Sequence, residues 1–208
     1  MYAEYVQRGE GGGFVLKLLR YGNTNTFYIS AGKKGLLVDT DWAGTLPAFY
    51  KAIKASDLTL SDITYVMATH YHPDHMGLIS ELRALGIKHI VFDEQRDMLH
   101  FSDGIFAKEK GIQYAPIDDN RAEVIYCADS RDFLASLGIN GEVLHTPAHS
   151  EDSVSLVLDE GIAIVGDLDP IDVVGAYEDN ALLRDCWDMI MARSPKTVFY
   201  SHANKREL

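Results

Sequence analysis

Thr69-His70-Tyr71-His72-Pro73-Asp74-His75-Met76-Gly77 places three histidines and one aspartate within six residues. Imidazole nitrogen and carboxylate oxygen are both good donors to zinc and to iron. If the backbone is extended here, His70 and His72 point the same way, because side chains alternate along an extended chain. Pro73 favours an extended His72 and a helix start just beyond it, which sets Asp74 and His75 at a helix N-terminus, facing a second ion. The chain has only eight histidines, so a chance His-rich loop is a poor account of three in this stretch.

Working outward, Tyr65 to Ala68 before the motif reads as a short buried strand. His75 to Leu85 after it reads as a helix that Gly86 caps. Upstream, Phe14 to Leu19, Asn25 to Ser30 and Leu36 to Asp39 read as a meander of strands, with Gly11-Gly12-Gly13 as a flexible turn before it. A helix is expected from Thr45 to Ala55, with Leu46, Phe49, Tyr50 and Ile53 on one face. Downstream, His89 to Phe92 reads as a strand, and 93–125 as a helix and loop over the site. Asp129 to Leu137 is expected to be helical. Glu142 to His145, Val154 to Leu158 and Ile162 to Val165 follow as strands. A helix from Asn180 to Ala192 and a strand from Thr197 to Tyr200 close the chain. No β-α-β alternation runs through this order, so two packed sheets with helices outside fit better than a doubly wound parallel sheet. The 208 residues are expected to form one domain over 1–208.

The chain is 47% hydrophobic and 24% charged, with a net charge of −12. An acidic surface repels phosphate backbones, so nucleic acid is not an expected partner. Two divalent ions would reverse the local sign at the site, which leaves an anionic small molecule open. Cys127 and Cys186 lie in no ligand motif and read as buried reduced thiols. Neither a secretory signal nor a membrane-spanning run is seen, so the expected compartment is the cytoplasm.

THYHPDHMG resembles the HxHxDHxG signature of the metallo-β-lactamase superfamily. The other landmarks appear in order: LHTPAHSEDS resembles the family's TPGH segment, IAIVGDLD its strand ending in GD, and VFYSHA its C-terminal histidine. NTNTFYI and LLVDT resemble its opening strands. The resemblance implies an αββα sandwich of two mixed β-sheets, with helices on the outer faces and metals at one edge. It implies that His70, His72 and His149 bind one ion and that Asp74, His75 and His202 bind a second. Asp167 would bridge them, with a hydroxide opposite. The ions would be zinc, with iron or manganese as alternatives. Ala148 stands where the family usually has Gly, and Asp41 where Gly often follows the VDT segment. Neither touches a ligand.

The implied activity is hydrolysis of a small-molecule substrate, with Asp74 orienting the nucleophile and carrying its proton. No ligand position holds the cysteine of the best-known zinc β-lactamases, which points to esters, thioesters or lactones. Six residues after His202 leave no room for the glutathione-holding domain of glyoxalase II enzymes. Asp39 and Thr69 are candidates to support the ligands from behind. Tyr71, Tyr177 and Trp187 could line a pocket, though core packing is the favoured reading. His89, His100 and His145 match no ligand position. Glu151 and Asp152 are expected in a solvated turn. The rivals are an iron-dependent sulfur oxygenase, a small phosphodiesterase and a non-catalytic binding module. A binding module would be expected to have lost ligands, and all seven are present. Oligomeric state is not legible.

Overall fold

The computed structural model describes residues 3–8 as backbone, and 13–32, 34–176 and 180–208 in full. Gly11, Gly12 and Tyr177 fall outside the described residues. Two mixed sheets face each other. The first has seven strands in chain order, β1 (Ala3–Arg8), β2 (Val15–Arg20), β3 (Asn25–Ser30), β4 (Gly35–Val38), β5 (Ile63–Met67), β6 (Lys88–Phe92) and β7 (Glu123–Ile125). The second has five, β8 (Gly141–His145), β9 (Val154–Leu158), β10 (Ile162–Ile164), β11 (Thr197–Phe199) and β12 (Arg206–Glu207), ordered β12-β11-β10-β9-β8.

The period-two alternation of the strands builds this sandwich. Leu16, Leu18, Phe27, Ile29, Leu36, Val38, Met67, Ile90 and Phe92 point inward from the first sheet. They meet Val154, Leu156, Leu158, Ile162, Ile164 and Phe199 from the second. The alternate residues point out. Leu37, Val66 and Val91 pack under helices α1 (Leu46–Ala55), α2 (Pro73–Met76) and α3 (Ile79–Ala84). Val157, Ala163 and Val198 pack under α6 (Ala181–Met191), which turns in Leu183, Cys186, Trp187 and Ile190. That spacing is one helical stripe, and Asn180 caps it by accepting from the Leu183 N–H at 2.9 Å. The result is the expected αββα layering. Short helices α4 (Asp103–Phe106) and α5 (Ser130–Ser136) complete the set.

Several expectations need correction. The helix expected from His75 to Leu85 is two pieces, α2 and α3, interrupted at Gly77 and Leu78. A Cβ at Gly77 would lie 2.4 Å from the Asp41 carbonyl oxygen and 2.3 Å from the Ala43 nitrogen. The break therefore lets the Asp41 loop cross closely. Strands β1, β7 and β12 were not anticipated. β4, β5, β6 and β7 pair in parallel, so α1 and α2–α3 are crossovers of a local β-α-β run. Cys127 and Cys186 are free, and only Cys186 is fully buried. Among the described residues, no helix is long and apolar enough to cross a membrane.

Candidate metal centre

All seven residues singled out as ligands meet at one edge of the sandwich, delivered by the loops that follow β5, β8, β10 and β11. His72 is extended (φ −69°, ψ 153°) and caps α2, with Pro73 in its first turn. His70 Nε2, His72 Nδ1 and His149 Nε2 converge: the first two are 3.0 Å apart, and the last two 3.2 Å. On the other side, His202 Nε2 lies 3.0 Å from Asp74 Oδ2, and His75 Nε2 lies 3.8 Å from the same oxygen. Asp167 stands between. Its Oδ2 is 3.3 Å from His75, 3.7 Å from His149 and 3.9 Å from His70, while Oδ1 is 3.5 Å from His202.

The residues behind the ligands fix their tautomers. Asp39 is fully buried and left-handed, with φ 59°. Its carboxylate accepts from the Thr69 N–H at 2.6 Å, the Thr69 hydroxyl at 2.9 Å, the Ser201 hydroxyl at 2.9 Å and His75 Nδ1 at 3.0 Å. His75 Nε2 is thereby turned toward Asp74 and Asp167. His202 Nδ1–H donates to the Asn23 carbonyl at 3.1 Å, which frees its Nε2 in the same way. Such outer partners orient ligand rings and set their basicity. Gly166, before Asp167, has φ +60°, and a Cβ there would sit 2.5 Å from Thr69 Oγ1.

Electrostatics divides the histidines. Burial, together with the neighbouring rings, holds His70 well below its ordinary pKa; burial and His149 lower that of His72. Both are therefore neutral and open to a cation at neutral pH. Burial would lower His75 as well, but Asp39 and Asp167 outweigh it and raise it to about 10. Burial would raise Asp167, and His75, His202 and His149 instead hold it low, as a carboxylate.

These residues fit metal ions. His75 Nε2 and Asp167 Oδ1 are buried without a hydrogen-bond partner, a costly state that a bound cation relieves. Four imidazoles and two carboxylates of hard and borderline character suit zinc, iron or manganese, and His149 completes the set. A further grouping of Asp93, Glu94 and Cys127 lies elsewhere. Burial, then Glu94 and Asp93, push that thiol's pKa up, so it keeps its proton.

Other residues fall into place. Asp39 and Thr69, singled out as possible supports, lie directly behind the candidate donors, with Asp39 accepting from Thr69 and His75. Asp152, expected in a solvated turn, is buried: it accepts from the Tyr71 N–H at 2.7 Å and from the Ser150 hydroxyl at 2.7 Å. Tyr71 is also buried, its hydroxyl 2.8 Å from His89 Nε2. Trp187, on the buried face of α6, packs against the second sheet and donates to the Asp169 carbonyl. His100 bridges Asp103 and Asp119 at the surface, and His145 donates to the Glu151 carbonyl. Phe101 was not foreseen. It is 46% exposed, with its ring 5.2 Å from that of His72. Ser102 anchors its loop by donating to the Tyr71 carbonyl at 2.6 Å.

A sequence model described as the metallo-beta-lactamase superfamily matches residues 19–202. A relative from Drosophila melanogaster, named beta-lactamase-like protein 2 homolog, is 26% identical over 189 residues, which is 87% of this chain and 59% of that protein. A "probable metallo-hydrolase" of Methanocaldococcus jannaschii is 25% identical over 197 residues, 93% of this chain and 88% of its own length. An atrochrysone carboxyl ACP thioesterase from Passalora fulva is 31% identical over 144 residues, but the match covers 66% of this chain and only 34% of the thioesterase. The chain thus spans less than two thirds of two of these three relatives. The mono-zinc metallo-beta-lactamase FIM-1 from Pseudomonas aeruginosa superposes with a TM-score of 0.67 at 19% identity, covering 100% of this chain and 90% of its own.

Proposed function

The chain belongs to the metallo-β-lactamase superfamily, and from that premise we propose that it is a hydrolase of a small ester, thioester or lactone, working with two divalent metal ions. The observation that carries this reading is the placement of Asp167, whose two oxygens face different histidines at the meeting point of two donor groups. His70, His72 and His149 would hold one ion, Asp74, His75 and His202 the other, and Asp167 both. When bound, the ions supply Lewis acidity and lower the pKa of a coordinated water, so that a nucleophile is available near neutral pH.

The chain's own residues do the rest. Asp39 keeps the His75 Nδ1 proton in place, so the proton that metal binding would displace is the one on Nε2, which then serves as the donor. His202 is held likewise by Asn23. Asp74 is partly open to solvent and close to His202, which suits it to take a proton from the attacking water and pass it to the departing alkoxide or thiolate. No cysteine stands among the seven donors, and a thioesterase is among the relatives; both favour acyl esters and thioesters over β-lactams.

Elemental analysis of the purified protein tests the metal requirement, followed by a panel of thioesters, lactones and esters. About two zinc ions per chain and turnover on the panel are expected. Alanine at His70, His149 or Asp167 should abolish activity and reduce bound metal, and full activity in any of the three would overturn the assignment. The all-nitrogen and oxygen donor set also suits iron. About one iron per chain with little zinc would therefore redirect the reading to a sulfur oxygenase.

A further inference from the structure

Two hollows of about 410 and 370 Å³ lie away from the histidine cluster, and no histidine lines either. A smaller one, about 260 Å³, touches His149, Asp167 and His202. It therefore opens onto both donor groups at once. Leu168, Pro170, Tyr200 and Ala203 form its walls, and among the described residues no lysine or arginine lines it. Among the described residues, the one charged group there other than a metal donor is Asp169, exposed at its rim.

The walls are held in place. Leu168 and Tyr200 belong to the cluster packed under α6. The Trp187 indole N–H donates to the Asp169 carbonyl at 2.9 Å, which pins the backbone between Leu168 and Pro170. Arg206 of β12 pairs with Asp172 and ties down the stretch that follows. The Asn25 amide donates to the Tyr200 and Ala203 carbonyls at 2.8 and 3.1 Å, fixing the opposite wall. A pre-formed apolar hollow beside polar reacting groups is the usual design of a small-molecule subsite.

We propose that this pocket seats the acyl group of the substrate, and that the acyl group is short, uncharged and apolar. The inference rests on the hydrolase reading above and adds the substrate class. At about 30 Å³ for each water-sized group, the hollow, which includes the space in front of His149, Asp167 and His202, has room for at most roughly six to eight heavy atoms, the reacting carbonyl among them. An acyl group ending in a carboxylate would bring its charge to walls that offer no cation, beside the Asp169 carboxylate. It would lose solvation without gaining a lysine or arginine partner from the walls described.

The test uses the metal-loaded full chain and thioesters of acetyl, butanoyl, pentanoyl, hexanoyl, decanoyl and succinyl groups. kcat/KM should rise about three- to fourfold per added methylene until the pocket fills near hexanoyl. It should not rise further at decanoyl. The succinyl ester should be at least tenfold poorer than the pentanoyl ester. Ala203→Trp should move the optimum to acetyl with metal content unchanged. An identical chain-length profile in both proteins, or equal use of succinyl and pentanoyl esters, overturns the proposal. A second readout needs no turnover: pentanamide should produce a saturable shift of the Leu168 methyl resonances, lost in Ala203→Trp. Absence of that shift overturns the pocket even if thioesters are hydrolysed. Its presence in a protein that cleaves no ester supports the pocket and overturns the hydrolase reading instead.

Discussion

Replacing Asp39 with alanine removes a carboxylate with no solvent exposure that accepts four hydrogen bonds. Two of the donors, the Thr69 and Ser201 hydroxyls, can rotate toward other acceptors. The Thr69 N–H and His75 Nδ1–H cannot, and each is left buried and unpaired at a cost of about 1–3 kcal/mol. Alanine at a φ of 59° also sits in the left-handed region that a Cβ disfavours by about 1–2 kcal/mol. Aspartate tolerates that region better, so only part of this cost is new. The expected loss is about 3–7 kcal/mol, a large fraction of the roughly 5–15 kcal/mol that holds a typical domain folded.

Urea unfolding of the metal-free protein reads this directly, provided the m-value matches that of the wild type. Asp39→Asn keeps one acceptor oxygen and should lose less, about 1–3 kcal/mol. In both variants the His75 ring loses its fixed orientation, and affinity at the second metal position should fall about 10- to 100-fold. Competition with a chelator measures that fall. Metal-free stability within about 0.5 kcal/mol of wild type in Asp39→Ala, with metal retention unchanged, would refute the argument that this carboxylate organises the centre.

The raised pKa of His75, about 10 against an ordinary 6.5, makes the metal-free protein sensitive to alkali. Its protonated form stabilises the fold fully below pH 6.5, and that contribution is lost as pH rises through 10. Thermal melts of metal-free protein at pH 6, 8 and 10 should show a falling midpoint, and a flat profile would count against the Asp39–His75–Asp167 chain. Gly166→Ala meets a φ of +60° and a Cβ 2.5 Å from Thr69 Oγ1. It should destabilise by more than the roughly 1–2 kcal/mol of the backbone effect alone and weaken metal retention, because Thr69 is driven off Asp39. Phe101→Ala, at the exposed ring beside His72, should raise KM severalfold and leave kcat near wild type, as expected for binding shared by ground and transition states.

The metal-binding motif was legible because its donors are close in sequence and their chemistry is specific. His70, His72, Asp74 and His75 need only one strand end and one helical turn to converge. His149, Asp167 and His202 are solitary in the sequence, and only the pattern of a known family picked them out. The strands of both inner faces were legible from their alternation. The break at Gly77 was not, because its cause is a backbone crossing from Asp41, 36 residues away in the chain. β7 is three residues long with Val124 exposed, so it carries no periodic signal. The local parallel run, β4 to β7, escaped because its crossovers sit between antiparallel strands on either side in the chain.

Least legible were the groups that bring the ligand loops together. Gln95, fully buried, donates to the Ala68 and Thr69 carbonyls at 3.0 and 3.2 Å and to the Asp152 carbonyl at 3.2 Å. One side chain thus ties the approach to His70 to the loop after His149. Asp152 repeats the tie through the Tyr71 N–H, and the Val154 N–H bonds the Thr69 carbonyl at 2.8 Å. On the other side, the Ser201 N–H reaches the Gly166 carbonyl at 3.0 Å, and the Asn25 N–H reaches that of Ser201 at 2.8 Å. A glutamine in a polar stretch gives no sign in sequence that it will be buried. Its role follows from where two separate loops bring their carbonyls together. Protein–protein hydrogen bonds between these loops therefore help to set the spacing of the donors, and the scaffold meets part of the cost of gathering five imidazoles.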